Sequence, residues 1–296
     1  AGGPRLQSGY LVVGSALLLV GVAFKMSWIP FHMWTPDVYQ GAPAPVTGFL
    51  AGAVKVAVFA FAMRWLMMAQ GDYLSLLLLG LTVMALLSMV MGNLLALRQN
   101  NLKRLLGYSS IAHMGYIIVT LAATATHGAT ALSTALEGAA IYLITYASMT
   151  MLAFAVISQL AAQDRGFETG TLAQYTGLLF QQPLLASALI LAMLALAGMP
   201  LTAGFIGKYY LVLVAVDSQL WLLLSMLVLG SALGLYYYLR VILVLCKTPI
   251  DDHPIDNQIM VFGMGDKLLL LLLMLMTLWL GLYPTPVIEW VQLAIA

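Results

Sequence analysis

From Leu184 to Val216 the chain is almost wholly apolar, with Gly198-Met199-Pro200 and Gly204 in its middle and one lysine, Lys208, just beyond. As one unbroken helix this run would measure about 50 Å, against a hydrocarbon core of about 30 Å. It therefore has to break, tilt or leave the membrane, and Pro200 with its flanking glycines favours a break. Non-helical backbone at membrane depth is tolerated only where protein or a water-filled cavity surrounds it. A cation beside such a break marks a functional site.

Nothing elsewhere in the chain offers a soluble alternative. Of 296 residues 62% are hydrophobic and 8% charged, and the mean hydropathy is +0.99, beyond what a soluble domain could solvate. The net charge of +1 points to no nucleic-acid partner, and the single cysteine, Cys246, excludes a disulfide framework and a multi-thiolate metal site. The chain opens on Ala1-Gly2-Gly3-Pro4, without an initiator methionine or a signal-peptide pattern, as expected of part of a longer protein.

Read in order, apolar segments cover about 10–34, 44–68, 73–97, 105–123, 132–160, 184–216, 220–245 and 268–283. This predicts an all-α, polytopic membrane protein of about eight transmembrane helices, forming a single transmembrane domain over 1–296. Pro30 and Pro36 end the first segment, and the stretch from Asp37 to Pro43 reads as a turn. The connection from Ala161 to Gln182 is too polar to cross the membrane, and a short amphipathic tail follows Tyr283.

Loop charge sets the expected orientation. Arg5 and Arg64 fall on one side, and Arg98, Lys103, Arg104, Arg165, Arg240, Lys247 and Lys267 on the other. The positive-inside rule puts the richer side in the cytoplasm and both ends of the chain outside. The first and sixth segments each carry a lysine, Lys25 and Lys208, beside a proline or glycine interruption. Five steps separate them, so they cross in opposite directions, the pattern of an inverted repeat with two discontinuous helices.

Lys55 lies ~16 Å from either end of its span, farther than a lysine side chain of about 6 Å can snorkel. Leaving it charged toward lipid costs on the order of 3 kcal/mol, so it is expected to face the bundle interior as a proton-carrying amine or as a structural lysine paired to a carbonyl or carboxylate. Lys25 and Lys208 have the same functional reading, against that of interfacial snorkeling lysines. His113 is a candidate proton relay or a packing histidine, and Tyr108 extends a path or anchors at the interface. Glu137 reads as an outer-end residue without a lysine partner, Asp37 and Asp72 as turn residues, and Asp251, Asp252 and Asp256 as a solvated loop.

The motifs are more specific than the pattern. Phe24-Lys25-Met26-Ser27-Trp28-Ile29-Pro30-Phe31-His32-Met33-Trp34-Thr35-Pro36-Asp37-Val38-Tyr39-Gln40-Gly41-Ala42-Pro43-Ala44-Pro45-Val46 resembles the antiporter-like membrane subunits of respiratory complex I. Asn101 to Tyr116, Gly204-Phe205-Ile206-Gly207-Lys208-Tyr209-Tyr210 and Tyr236-Tyr237-Tyr238-Leu239-Arg240 agree with it, so the likeness covers essentially the whole chain. It implies fourteen helices in two inverted five-helix repeats, of which this chain is similar to helices seven to fourteen. Lys25, Lys55 and Lys208 then match the three lysines of the family's hydrophilic axis, and Tyr108 and His113 match a tyrosine and histidine on its tenth helix. The glutamate that the family sets opposite the Lys25 position has no counterpart in the sequence.

The resemblance implies a proton-translocating subunit of NADH:quinone oxidoreductase in a bacterial inner membrane, without a redox centre or cofactor in this chain. NADH, FMN, iron–sulfur clusters and quinone are expected in other subunits. The implied partners are other membrane subunits, the antiporter-like subunit M and the small K and J subunits, together with membrane lipids. Two alternatives stay open: a subunit of a multi-subunit cation/proton antiporter, which shares the fold and lysine axis, and a structural spacer.

Overall fold

The computed structural model describes residues 4–68, 74–124, 129–163, 171–248 and 263–295, all helical but for turns and one isolated bridge. Asp72, Arg165, Asp251, Asp252 and Asp256, to which the sequence assigned loop roles, lie outside the described residues, as does the side chain of Arg5. Among the described residues seven helical spans are long and apolar enough to cross a membrane, and a broken pair lies where the remaining expected segment falls.

α1 (Pro4–Met26) ends sooner than its apolar pattern, which runs on to Trp34. Ser27 takes a left-handed φ of 65°, and irregular backbone carries the chain to α2 (Trp34–Gly41). Side-chain bonds hold this interruption, among them that of the Trp34 indole to the Phe24 carbonyl across it at 2.8 Å. The Trp28 indole donates to the Met114 carbonyl at 2.8 Å, the Ile29 amide donates to Ser88 Oγ at 3.0 Å, and Thr35 Oγ1 donates to Ser27 Oγ at 2.6 Å. Polar groups freed by the break thus find partners inside the protein.

α2 corrects the expectation of a turn from Asp37 to Pro43. Pro36 sits in the first turn of a helix, where its missing N–H is not needed, and so opens a new element where it was expected only to close the preceding one. Asp37 is in that helix and pairs with Arg104 at 2.6 Å. The second span is bent in two, α3 (Ala44–Ala51) and α4 (Ala53–Met68), with Gly52 between them at φ −97°, ψ −87°.

α5 (Leu74–Leu97) and α6 (Leu102–Thr124) form a hairpin. Asn101 caps α6 by accepting the Arg104 amide at 2.9 Å. The pair packs backbone to backbone: a Cβ on Gly92 would come within 2.7 Å of the Ala112 nitrogen, and one on Gly115 within 2.9 Å of Ser88 Cβ. α6 is enclosed on every side, with 94% of its spanning window buried, so it is the central post of the bundle. Lys103, counted above as a loop cation, is on this helix, 1% exposed, and donates to the Ala42 carbonyl at 2.6 Å. It ties the C-terminal end of α2 to α6 and is not a solvated charge.

α7 (Ala129–Gln163) follows, then a 3₁₀ turn (Leu172–Tyr175) and the short α8 (Leu178–Gln181). The long apolar run divides into α9 (Pro183–Ala197) and α10 (Ala203–Asp217), with Gly198 at φ 82° and Leu201 at φ 72° in the gap. Any side chain at Gly204 would overlap the Ala195 carbonyl oxygen, so this glycine lets α10 start directly against the end of α9. α11 (Trp221–Cys246), α12 (Met264–Leu282) and α13 (Thr285–Ile295) complete the described chain.

Candidate functional site

Because α6 is buried all round, its polar residues have to be satisfied by neighbouring helices, and they organise the interior. Ser110, His113 and Tyr116 recur every third residue, which keeps them near one face. From α4, Lys55, 1% exposed, donates to Ser110 Oγ at 2.5 Å and lies 5.8 Å from the centroid of the Tyr39 ring. The same hydroxyl meets Tyr146 Oη of α7 at 2.7 Å and Tyr39 Oη at 3.4 Å. One turn along, His113 Nδ1 bonds Tyr142 Oη at 2.8 Å and its Nε2 bonds Tyr238 Oη of α11 at 3.2 Å. Tyr142 and Tyr146, one turn apart on α7, stack at 11° with ring centroids 6.4 Å apart, and the Tyr146 ring lies 5.4 Å from the imidazole.

Beyond His113 the path continues. The Tyr238 and Tyr237 rings lie 4.5 Å apart. Tyr237 Oη donates to Asn93 Oδ1 at 3.0 Å, and Asn93 Nδ2 donates to Tyr116 Oη at 2.9 Å and to the Met89 carbonyl at 2.7 Å. The ammonium of Lys208, on α10, sits 5.8 Å from the centroid of the Tyr116 ring and donates to the Ala197 carbonyl at 2.8 Å. That carbonyl is the last of α9, one of the acceptors a helix leaves unpaired at its C-terminus, where the dipole favours a cation. Gly198 makes room for the lysine, since a Cβ there would come within 2.8 Å of Lys208 Cδ.

Lys55, His113 and Lys208 are therefore joined through Ser110, Tyr146, Tyr142, Tyr238, Tyr237, Asn93 and Tyr116. Hydroxyls and imidazole both donate and accept and so can hand a proton along, whereas Asn93 cannot, and Tyr142 meets Tyr146, and Lys208 meets Tyr116, through ring contacts that need water to complete a path. No carboxylate takes part among the described residues, where the one salt bridge is that of Arg104 with Asp37, and no group there could hold a metal ion. Buried cations without a counter-charge interact strongly, because the interior screens them poorly.

Lys25 and Tyr108 are not in this network. Lys25 is exposed at the end of α1, and half-buried Tyr108 bonds Arg104 near the Asp37 end of α6. Glu137 accepts from Gln292 Nε2 at 2.9 Å and bonds Tyr210. The sequence reading missed the tyrosines and Asn93 as site residues. Tyr116 and Tyr238 stood in recognised motifs, and the spacing of Tyr142 and Tyr146 put both on one helical face. Their partners are 23 to 144 residues away along the chain, which no local pattern reveals.

A family model described as "NADH:quinone oxidoreductase/Mrp antiporter, TM" matches residues 5–234. The chain is 45% identical over 299 aligned positions to NADH-quinone oxidoreductase subunit N of Ectopseudomonas mendocina strain ymp, covering 98% of this chain and 58% of that relative. It thus spans little more than half the length of the curated relative it matches. Among solved structures, a chain of respiratory complex I from Thermus thermophilus with bound aureothin is 35% identical with a TM-score of 0.75, covering 98% of this chain and 60% of its own. A chain of the archaeal membrane-bound sulfane sulfur reductase is 26% identical with a TM-score of 0.79, covering 93% and 53%.

Proposed function

Because the chain belongs to the NADH:quinone oxidoreductase/Mrp antiporter transmembrane family, we propose that it is the proton-translocating part of a subunit N of NADH:quinone oxidoreductase. The observation that carries this reading is the buried connection from Lys55 through His113 to Lys208, made of lysines, tyrosine and serine hydroxyls, an imidazole and the Asn93 carboxamide, with no carboxylate among the described residues.

Protons enter and leave the lysines, and the connecting groups pass them or hold the water that does. The coupling is electrostatic. Two ammonium groups in a poorly screened interior raise each other's cost, so a charge gained at Lys55 favours its loss at Lys208. Lys208 is the end nearer release or the neighbouring subunit, and Lys25, exposed at the first break, takes its charge partner from outside the described residues. Tyr108 acts at the mouth of the path, beside Arg104. Quinone reduction, with NADH, FMN and iron–sulfur clusters, takes place in other subunits, and subunits M, K and J flank this one. The membrane is the bacterial inner membrane, with the Arg98–Arg104 end cytoplasmic and both chain ends periplasmic.

The test is an assembled complex carrying Lys55→Ala or Lys208→Ala, assayed for electron transfer and for pumping into vesicles. Both variants are expected to lose pumping, and undiminished pumping by both would sink the proposal. The shared family model also admits a cation/proton antiporter subunit; that reading requires sodium-dependent transport by the isolated protein, whereas co-purification with NADH dehydrogenase subunits excludes it.

A further inference from the structure

A cavity of about 450 Å³ lies where the α5–α6 turn, the 3₁₀ segment and the last turns of α11 meet. Its polar lining is Asn100, Thr171, Thr176, Arg240 and Lys247, with Val244 among its apolar walls, and no carboxylate lines it among the described residues. The rim is tied together by backbone. The Leu172 amide donates to the Asn100 carbonyl at 2.6 Å, Asn101 and Thr171 form an antiparallel bridge, and the Gly177 amide donates to the Val244 carbonyl at 3.4 Å. Arg240 is held in place by bonds to the Leu97 carbonyl and to Asn100 Oδ1. These occupy two of the five N–H donors of its guanidinium. Lys247, two turns further along at the end of α11, is exposed.

We infer that this cavity binds the phosphate headgroup of an anionic membrane lipid. A guanidinium, an ammonium and two hydroxyls converge on a space that suits a phosphate diester, and basic pockets between transmembrane helices recognise such headgroups. The surface beside it favours a lipid over a free phosphate. Arg240, Val244 and Lys247 share one face of α11, while Tyr236, Leu239 and Leu243 form the adjoining stripe and are 66%, 38% and 64% exposed. A headgroup seated in the cavity would lay its acyl chains along that stripe. This inference does not depend on proton translocation.

The experiment incorporates a photoactivatable phosphatidylglycerol, with its reactive group near the glycerol, into membranes holding the assembled complex, and maps the adducts by peptide mass spectrometry. Adducts are expected on 171–176 and 240–247. Lys247→Ala, at an exposed position, is expected to reduce them about fivefold, the change that about 1 kcal/mol per basic residue near an anionic surface produces. Lys247→Arg is expected to retain them. Equal labelling by a phosphatidylcholine probe, undiminished labelling in Lys247→Ala, or loss of all labelling to millimolar inorganic phosphate would each overturn the assignment.

Discussion

Asn93 illustrates how much one side chain holds in a membrane interior. Its amide accepts from Tyr237 and donates to Tyr116 and to Met89, so it joins α11 to α6 through α5. Asn93→Leu would take one hydrogen-bond partner from each of two buried tyrosine hydroxyls, at a cost of about 1 kcal/mol each. A lower unfolding temperature of the purified complex is the expected outcome. Asn93 also differs in kind from its neighbours: a carboxamide does not pass a proton on as a hydroxyl or imidazole does. Tyr238→Phe removes only the oxygen facing His113 Nε2 and keeps the ring. It is expected to slow pumping several-fold while costing the stability only about 1–3 kcal/mol, and a loss of pumping no greater than that of Asn93→Leu at equal destabilisation would show that Tyr238 merely packs. These residues were hard to read beforehand. An intramembrane tyrosine looks the same in sequence whether it is exposed, as Tyr236 is, or faces the interior, as Tyr238 does.

Among the elements, the broken pair α9–α10 was legible because glycine and proline act on the backbone locally, and Gly198 and Leu201 carry the left-handed turns there. The first break was placed too late, since the signal at Ser27 is a conformation and not a composition. Proline also has two meanings, and Pro36 opens a helix where a stop was expected. Close approach yields a paired prediction. Gly204→Ala would overlap the Ala195 carbonyl oxygen and is expected to destabilise by at least 1–3 kcal/mol, roughly the range for overpacking, seen as reduced assembly on native gels. Gly14→Ala, with nothing within 4 Å of the added carbon in this structure, is the matched control within a helix, where alanine is favoured by about 1 kcal/mol.

At the scale of the whole molecule, the seven long spans and the broken pair among the described residues fall where apolar length put the expected segments, because a bilayer sets a minimum span. Lys103 shows where such counting fails: a basic residue next to a loop can be buried against a helix end. The proposed orientation is open to direct test through the only cysteine in the chain, Cys246, which is exposed at the end of α11 shared with Arg240 and Lys247. A membrane-impermeant maleimide is expected to label it in inside-out vesicles and not in right-side-out ones; the reverse pattern inverts the topology.

Lys208 closes the break as well as carrying charge. Its ammonium rests on the carbonyl that ends α9, and leaving that oxygen bare inside the bundle costs about 1–3 kcal/mol. To deliver a proton to any other acceptor the lysine has to let go of Ala197, and water has to take its place on the oxygen. If protons pass through Lys208 as proposed, its side chain has to act as a latch that leaves the helix end and returns to it, and transfer can be no faster than the latch lifts.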